Sequence, residues 1–223
     1  MFVDEAWKFA GSEYLMALFA GNNCSEEEMT AVCEKLEYYT GVSAEHFRET
    51  GLHLDNFEFS THVLKKEKLD VGIYDGRYTM PHMYDLQGYD TVADDPAMGQ
   101  YVHSFVAAMN AIAKKQLGIE NDLPYYGINF KVNEKWDFEN VPSPLENLRR
   151  GLRRHRNLKV FFGSGLYDLC THPGMVRYMA SHYDLPKEQM VLKEYASGHM
   201  PYLGDESRQK MVADIREFIE DTK

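Results

Sequence analysis

The chain has 223 residues, 44% of them hydrophobic, which is enough to bury a sizeable core in one domain or a domain with an insertion. A formal net charge of −11 without a long Lys/Arg cluster excludes a surface for tracking phosphates, so nucleic acid is not an expected partner. Cys24, Cys33 and Cys170 form no CxxC pair and lend no support to a metal site; with no apolar run of about 20 residues and no charged-then-apolar leader, the expectation is a soluble chain off the membrane, without cofactor or targeting segment, its compartment left open.

Phe2, Ala6, Ala10, Tyr14 and Leu18 recur every four residues and predict a first helix that stops at Gly21-Asn22-Asn23. Ser25 with Glu28 forms a capping box for a second helix, whose apolar stripe is Met29, Val32, Cys33 and Leu36 and whose end is Gly41. Shorter helices are expected at 44–49 and 57–67. From Val71 to Asp95 the chain is rich in Gly, Asp, Tyr and Pro without sustained period and reads as a long excursion packed by its aromatics. Tyr38, Tyr39, Phe57, Phe59, Tyr84 and Tyr89 could line a peptide-binding mouth; as aromatics at helical spacing, they fit the core of a helical region better.

Asp95-Pro96 is an N-cap followed by proline, and Tyr101, Val102, Phe105, Met109 and Ile112 carry that helix to Gly118. The signal recurs at Ser143-Pro144, and the basic run Arg149 to Arg156 at the end of this helix reads as a solvated, dipole-matched C-terminus. Leu158 to Phe162 then reads as a strand, Pro173 to His182 as a helix, Met190 to Tyr195 as a strand, and Asp205 to Asp221 as a closing helix. This order predicts a parallel βαβ segment with a right-handed crossover. The expected organisation is a mainly helical region over 1–140 and an α/β segment over 141–223.

In open parallel sheets reactive groups gather at the carboxyl ends of the strands. Asp168 follows the first of these two strands and His199 the second, so both side chains are expected at one rim, where a carboxylate can hold an imidazole in the tautomer of a general base. An aspartate after a strand can equally be a turn or cap residue, and a lone loop histidine can be structural, so spacing alone leaves both readings open.

Five stretches in order carry a resemblance to the serine carboxypeptidase family: Glu13-Tyr14-Leu15-Met16-Ala17-Leu18; Tyr39-Thr40-Gly41-Val42-Ser43; Val71-Gly72-Ile73-Tyr74-Asp75-Gly76-Arg77-Tyr78-Thr79; Val132-Asn133-Glu134-Lys135-Trp136-Asp137; and Ser164-Gly165-Leu166-Tyr167-Asp168 with Gly198-His199-Met200. The resemblance runs over nearly the whole chain. It implies part of an α/β-hydrolase fold, a helical cap followed by the last strands of the sheet, with Asp168 as triad acid, His199 as base, and Met200 and Tyr167 lining the substrate pocket. It also implies the C-termini of peptides as substrates.

The same family attacks through a serine with glycine two before and two after it. No serine here has that setting: Ser12 lies between Ala10 and Tyr14, Ser164 between Phe162 and Leu166, and Ser197 between Tyr195 and His199 at those positions. The expectation is therefore a hydrolase fragment, inactive alone, whose unpaired strand edge favours self-association. Cys170 is a weak thiol candidate, because no feature of the sequence lowers its pKa. His46, His53, His62 and His82 lack metal-ligand spacing. The competing readings are a non-catalytic helical interaction module that retains the Asp and His, and an esterase or acyltransferase on the same scaffold.

Overall fold

The computed structural model describes residues 2–83, 87–88, 90–120, 123–137, 139–141 and 143–221. The described chain is mainly helical with two small sheets, one antiparallel and one parallel, and is broadly α/β. It divides into two compact units, Met1–Val71 with Thr79–Tyr89, and Gly72–Tyr78 with Asp90–Lys223. That division differs from a boundary at 140. The 72–78 segment groups with the C-terminal strands through backbone bonds of Gly76, Ile73 and Tyr74 to Tyr167, Leu169 and His199. The chain from Asp90 groups with them through Asp95, which accepts from Ile73 N, and through Met98, Val102 and Phe105, which line one cleft with His199.

The first unit opens with α1 (Phe2–Phe9), a π-helical turn (Ala10–Tyr14) and α2 (Leu15–Ala20). The π turn has a reason in the side chains. Its i→i+5 spacing brings Phe9 and Tyr14 to one face, where their rings stack with centroids 6.2 Å apart, and the Tyr14 hydroxyl donates to Leu52 O at 2.8 Å. The buried face is thus Phe9 and Ala17, flanked by Ala6, Tyr14 and Leu18; Phe2 and Ala10, expected in the same stripe, are exposed.

Next comes α3 (Glu26–Thr40), which begins at the Ser25/Glu28 capping box and ends at Gly41 with φ +80°. α4 (Ala44–Glu49) and α5 (Asn56–His62) follow, each capped by the side chain before it, Ser43 and Asp55. Val32, Cys33, Leu36, Val42, Phe47 and Leu52 close the core of this unit against Phe9 and Ala17, with Phe59 packed at its margin. The excursion expected from Val71 contains a strand the sequence pattern did not show, β2 (Thr79–Pro81), which pairs antiparallel with β1 (Leu69–Val71) at its start. Three-residue strands are too short to display a period of two. Tyr84 and Tyr89 lie outside the described residues, and Tyr38 is exposed.

In the second unit α6 (Met98–Ala111) starts two residues after Pro96. Asp95 holds its first turn, with Oδ1 accepting from Ala97 N and Met98 N at 2.9 and 2.8 Å, while Oδ2 accepts from Ile73 N at 2.7 Å. A short α7 (Phe130–Asn133) precedes α8 (Pro144–Arg154), whose arginines pair with Glu146 and Asp184 at the surface. Then come β3 (Val160–Gly165), α9 (Pro173–His182), β4 (Met190–Tyr195) and α10 (Asp205–Glu220).

β3 and β4 are parallel, in register from Val160↔Met190 to Gly165↔Tyr195. Phe161 on β3 meets Phe218 on α10 edge to face at 5.5 Å, so α10 covers one side of the pair. β3 runs three residues past the apolar segment, through Gly163 and Gly165, because its pairing with β4 continues to the end of that strand. Among the described residues β3 and β4 pair only with each other, and no helix is long and apolar enough to cross a membrane.

Candidate functional site

The parallel register brings the ends of β3 and β4 side by side, and the turns leaving them are laced together. Leu166 N donates to Tyr195 O at 2.9 Å and Tyr167 N to Ser197 O at 3.0 Å. Two glycines make this approach possible. A Cβ on Gly165 would lie 2.0 Å from Gly198 O, and one on Gly198 would lie 2.4 Å from Tyr74 O, both far inside van der Waals contact. The 72–78 segment closes around the turns: His199 N donates to Tyr74 O at 2.7 Å, Leu169 N to Ile73 O at 3.0 Å and Gly76 N to Tyr167 O at 2.8 Å.

Asp168 and His199 meet there, with Nδ1 of the imidazole 2.9 Å from Oδ2 of the carboxylate. Asp168 is buried and fully engaged. Oδ1 accepts from the backbone N–H groups of Cys170 and Thr171 at 2.8 and 2.9 Å, and Oδ2 accepts from the Thr171 hydroxyl at 2.6 Å. Burial pushes the carboxyl up, but the hydrogen bonds from His199 and Thr171 outweigh it and hold Asp168 below its ordinary value. An ionised carboxylate only accepts, so the neutral imidazole carries its proton on Nδ1 and leaves a lone pair on Nε2. The bond to Asp168 raises His199 above its ordinary value against the opposing effect of burial.

The imidazole side chain is 37% exposed, and Tyr74 meets its ring edge-on at 5.4 Å. Nε2 has no partner among the described residues. It faces the class of task for which such a pair is suited, accepting a proton from an incoming hydroxyl.

An uncharged cleft of about 520 Å³ opens beside the ring. Its walls are one face of α6 (Met98, Val102, Phe105, Met109), Tyr125 and Ile128, and Tyr74, Met200 and Tyr202 together with His199. Met200 therefore lines the cleft. Tyr167 does not: its ring lies under the Arg77 guanidinium at 4.8 Å, and Arg77 is in turn held by Asp75 and by Ala196 O. A larger cavity, about 870 Å³, lies in the first unit among Phe57, Lys65, Lys68 and His82, and contains neither Asp168 nor His199. Size alone thus selects a different place from the chemistry, and the proton-transfer geometry is the better guide.

Of the other candidates, Cys170 is held up by burial and by the nearby charges of Asp168 and Asp95, so its thiol keeps its proton and is a poor nucleophile. Ser197 is buried, with its hydroxyl donated to Gly198 O, and the Ser12 hydroxyl is donated to Lys8 O. His46 and His62 stack on each other at 4.0 Å, and His82 Nδ1 donates to Asp70 Oδ1 at 2.7 Å. Among the described residues no three His, Cys, Asp or Glu side chains converge as metal ligands.

Sequence reasoning missed Thr171, Tyr74 as the ring against His199, and the contribution of α6 to the cleft. Only Thr171 left a local trace, as a hydroxyl residue three after Asp168 in a position to close a turn. Comparison of the chain with models of protein families, with curated proteins and with solved structures returns no match.

Proposed function

We propose that this chain supplies the acid and base of a serine carboxypeptidase-like α/β-hydrolase, with the nucleophilic serine and the oxyanion donors contributed from outside residues 1–223. The observation that carries the reading is the Asp168–His199 pair, 2.9 Å apart, with Nε2 unengaged among the described residues at the mouth of an uncharged cleft. In this reading Nε2 takes the proton from the serine hydroxyl as its oxygen attacks the scissile carbonyl. The imidazolium returns that proton to the leaving amine, and Asp168 stabilises the imidazolium without itself becoming protonated. Water then releases the acyl group by the same two proton transfers in reverse.

The cleft walls carry no charge apart from His199, which suits a large apolar side chain next to the scissile bond, with Met200 against it. By itself the chain lacks the attacking group, and the oxyanion donors alone are typically worth about 3–4 kcal/mol of barrier. The test is hydrolysis of an N-blocked dipeptide with an apolar penultimate residue by the protein that joins this chain to a nucleophile-bearing segment. His199→Ala should lower kcat/KM by roughly 10³-fold or more while leaving the far-ultraviolet spectrum unchanged. Retained turnover would remove His199 from the base role.

A further inference from the structure

The turn after β3 holds a third side chain against the acid–base pair. Thr171 donates its backbone N–H to Asp168 Oδ1 at 2.9 Å and its hydroxyl to Oδ2 at 2.6 Å, and the same hydroxyl oxygen lies 3.2 Å from His199 Nδ1. Nδ1, Oδ2 and Oγ1 therefore form a closed triangle, its third side being the 2.9 Å bond between ring and carboxylate. A threonine hydroxyl has one proton to give. The ionised carboxylate is the stronger acceptor and the closer one, so that proton points at Oδ2, the oxygen the imidazole also uses.

Two consequences follow from the triangle. Oδ1 is pinned by the backbone N–H groups of Cys170 and Thr171 and Oδ2 by the Thr171 hydroxyl, so the carboxylate plane is fixed relative to the ring. Secondly, the donated proton sets a positive partial charge beside the oxygen that faces the ring, which offsets part of its negative charge and weakens its hold on an imidazolium. Among the described residues, Asp168 and Thr171 from this turn and Tyr74 from the 72–78 segment meet the ring, and Tyr202 lines the same cleft; Cys170, next in the turn, keeps its proton.

We propose that Thr171 is a positioning residue of the Asp168–His199 pair, fixing Oδ2 toward the ring and drawing off part of the charge that would otherwise keep the imidazole as a cation. This rests on the acid–base reading above. It gives the turn a purpose in that reading: the imidazole must be free to accept a proton, and a carboxylate without the hydroxyl would hold it protonated to higher pH.

The test is an NMR titration of the His199 imidazole in the purified chain, where no turnover is needed, so a missing nucleophile does not affect it. Thr171→Val removes the hydroxyl but keeps the branch and the backbone N–H. It should raise the His199 midpoint, with roughly a threefold higher imidazolium-to-imidazole ratio at the parent's midpoint, the size expected for one net hydrogen bond. Thr171→Ser should return the midpoint to the parent value. Should valine prevent folding, Thr171→Ala against Thr171→Ser makes the same comparison. A midpoint that is unchanged or lowered on loss of the hydroxyl, in a folded variant, overturns the proposal. If the midpoint rises as expected but His199→Ala leaves hydrolysis intact in the joined protein, the positioning stands and the catalytic reading fails.

Discussion

At the scale of residues, Asp168 and His199 stabilise each other's charged forms, and this sets a window of pH. Asp168 lies below its ordinary value in the folded chain, so its contribution is present above about pH 3.9 and is lost as pH falls through the folded value. His199 lies above its ordinary value, so its contribution is present in full below about pH 6.5 and is lost as pH rises through the folded value. The charged pair therefore stabilises the fold most between those two limits. The difference in denaturant stability between the parent chain and His199→Gln is expected to be largest near pH 5 and to shrink by pH 9. The imidazole is more than a third exposed, which keeps the effect small. A difference that stays constant or grows with pH contradicts the assignment of the shifts.

At the scale of elements, the two strand ends meet only because Gly165 and Gly198 lack side chains. In Gly165→Ala the new Cβ would overlap the backbone carbonyl of Gly198, an atom that cannot rotate away. The substitution should cost about 2–3 kcal/mol in denaturant unfolding and broaden or shift the His199 resonances, since the turns must separate. Wild-type stability in that variant would show that the turns are not held this closely.

The elements also show where sequence patterns suffice. Ser25, Glu28 and Gly41 mark both ends of α3 because capping is a local transaction between a side chain and its own helix. β3, α9, β4 and α10 were legible for a similar reason, and with them the meeting of Asp168 and His199. The π turn was not, since a stripe at every fourth residue does not reveal that Phe9 and Tyr14 pack five apart. The β1–β2 pair was not legible because its strands are three residues long, and the third side of the Thr171 triangle, at His199, and the α6 wall of the cleft depend on contacts distant in sequence that no local pattern encodes.

At the scale of the whole molecule, the parallel pair has two outer edges with no strand against them among the described residues. Parallel sheets are ordinarily covered on both faces and bordered by further strands. Here Leu158, Leu166 and Leu192 near the pair, and Leu117, Val132 and Trp136 elsewhere in the same unit, are exposed apolar side chains. An open strand edge leaves unpaired N–H and C=O groups that another polypeptide could pair with. In the hydrolase reading that polypeptide is the nucleophile-bearing part of the protein. Without it the chain is expected to self-associate, giving a sedimenting species heavier than the 25.8 kDa monomer at micromolar concentration. A strict monomer at those concentrations would show that the exposed apolar surface does not drive assembly.

The most direct measurement of the central claim is the position of the nucleophile. In the hydrolase reading, the protein that carries this chain together with its nucleophile can be treated with a biotinylated fluorophosphonate, digested, and the modified residue located by mass spectrometry, in the parent and in His199→Ala. The acid–base assignment predicts one modified serine with glycine two before and two after it, outside residues 1–223, and loss of that modification in His199→Ala. A modified residue within 1–223, or undiminished modification after His199→Ala, would contradict it.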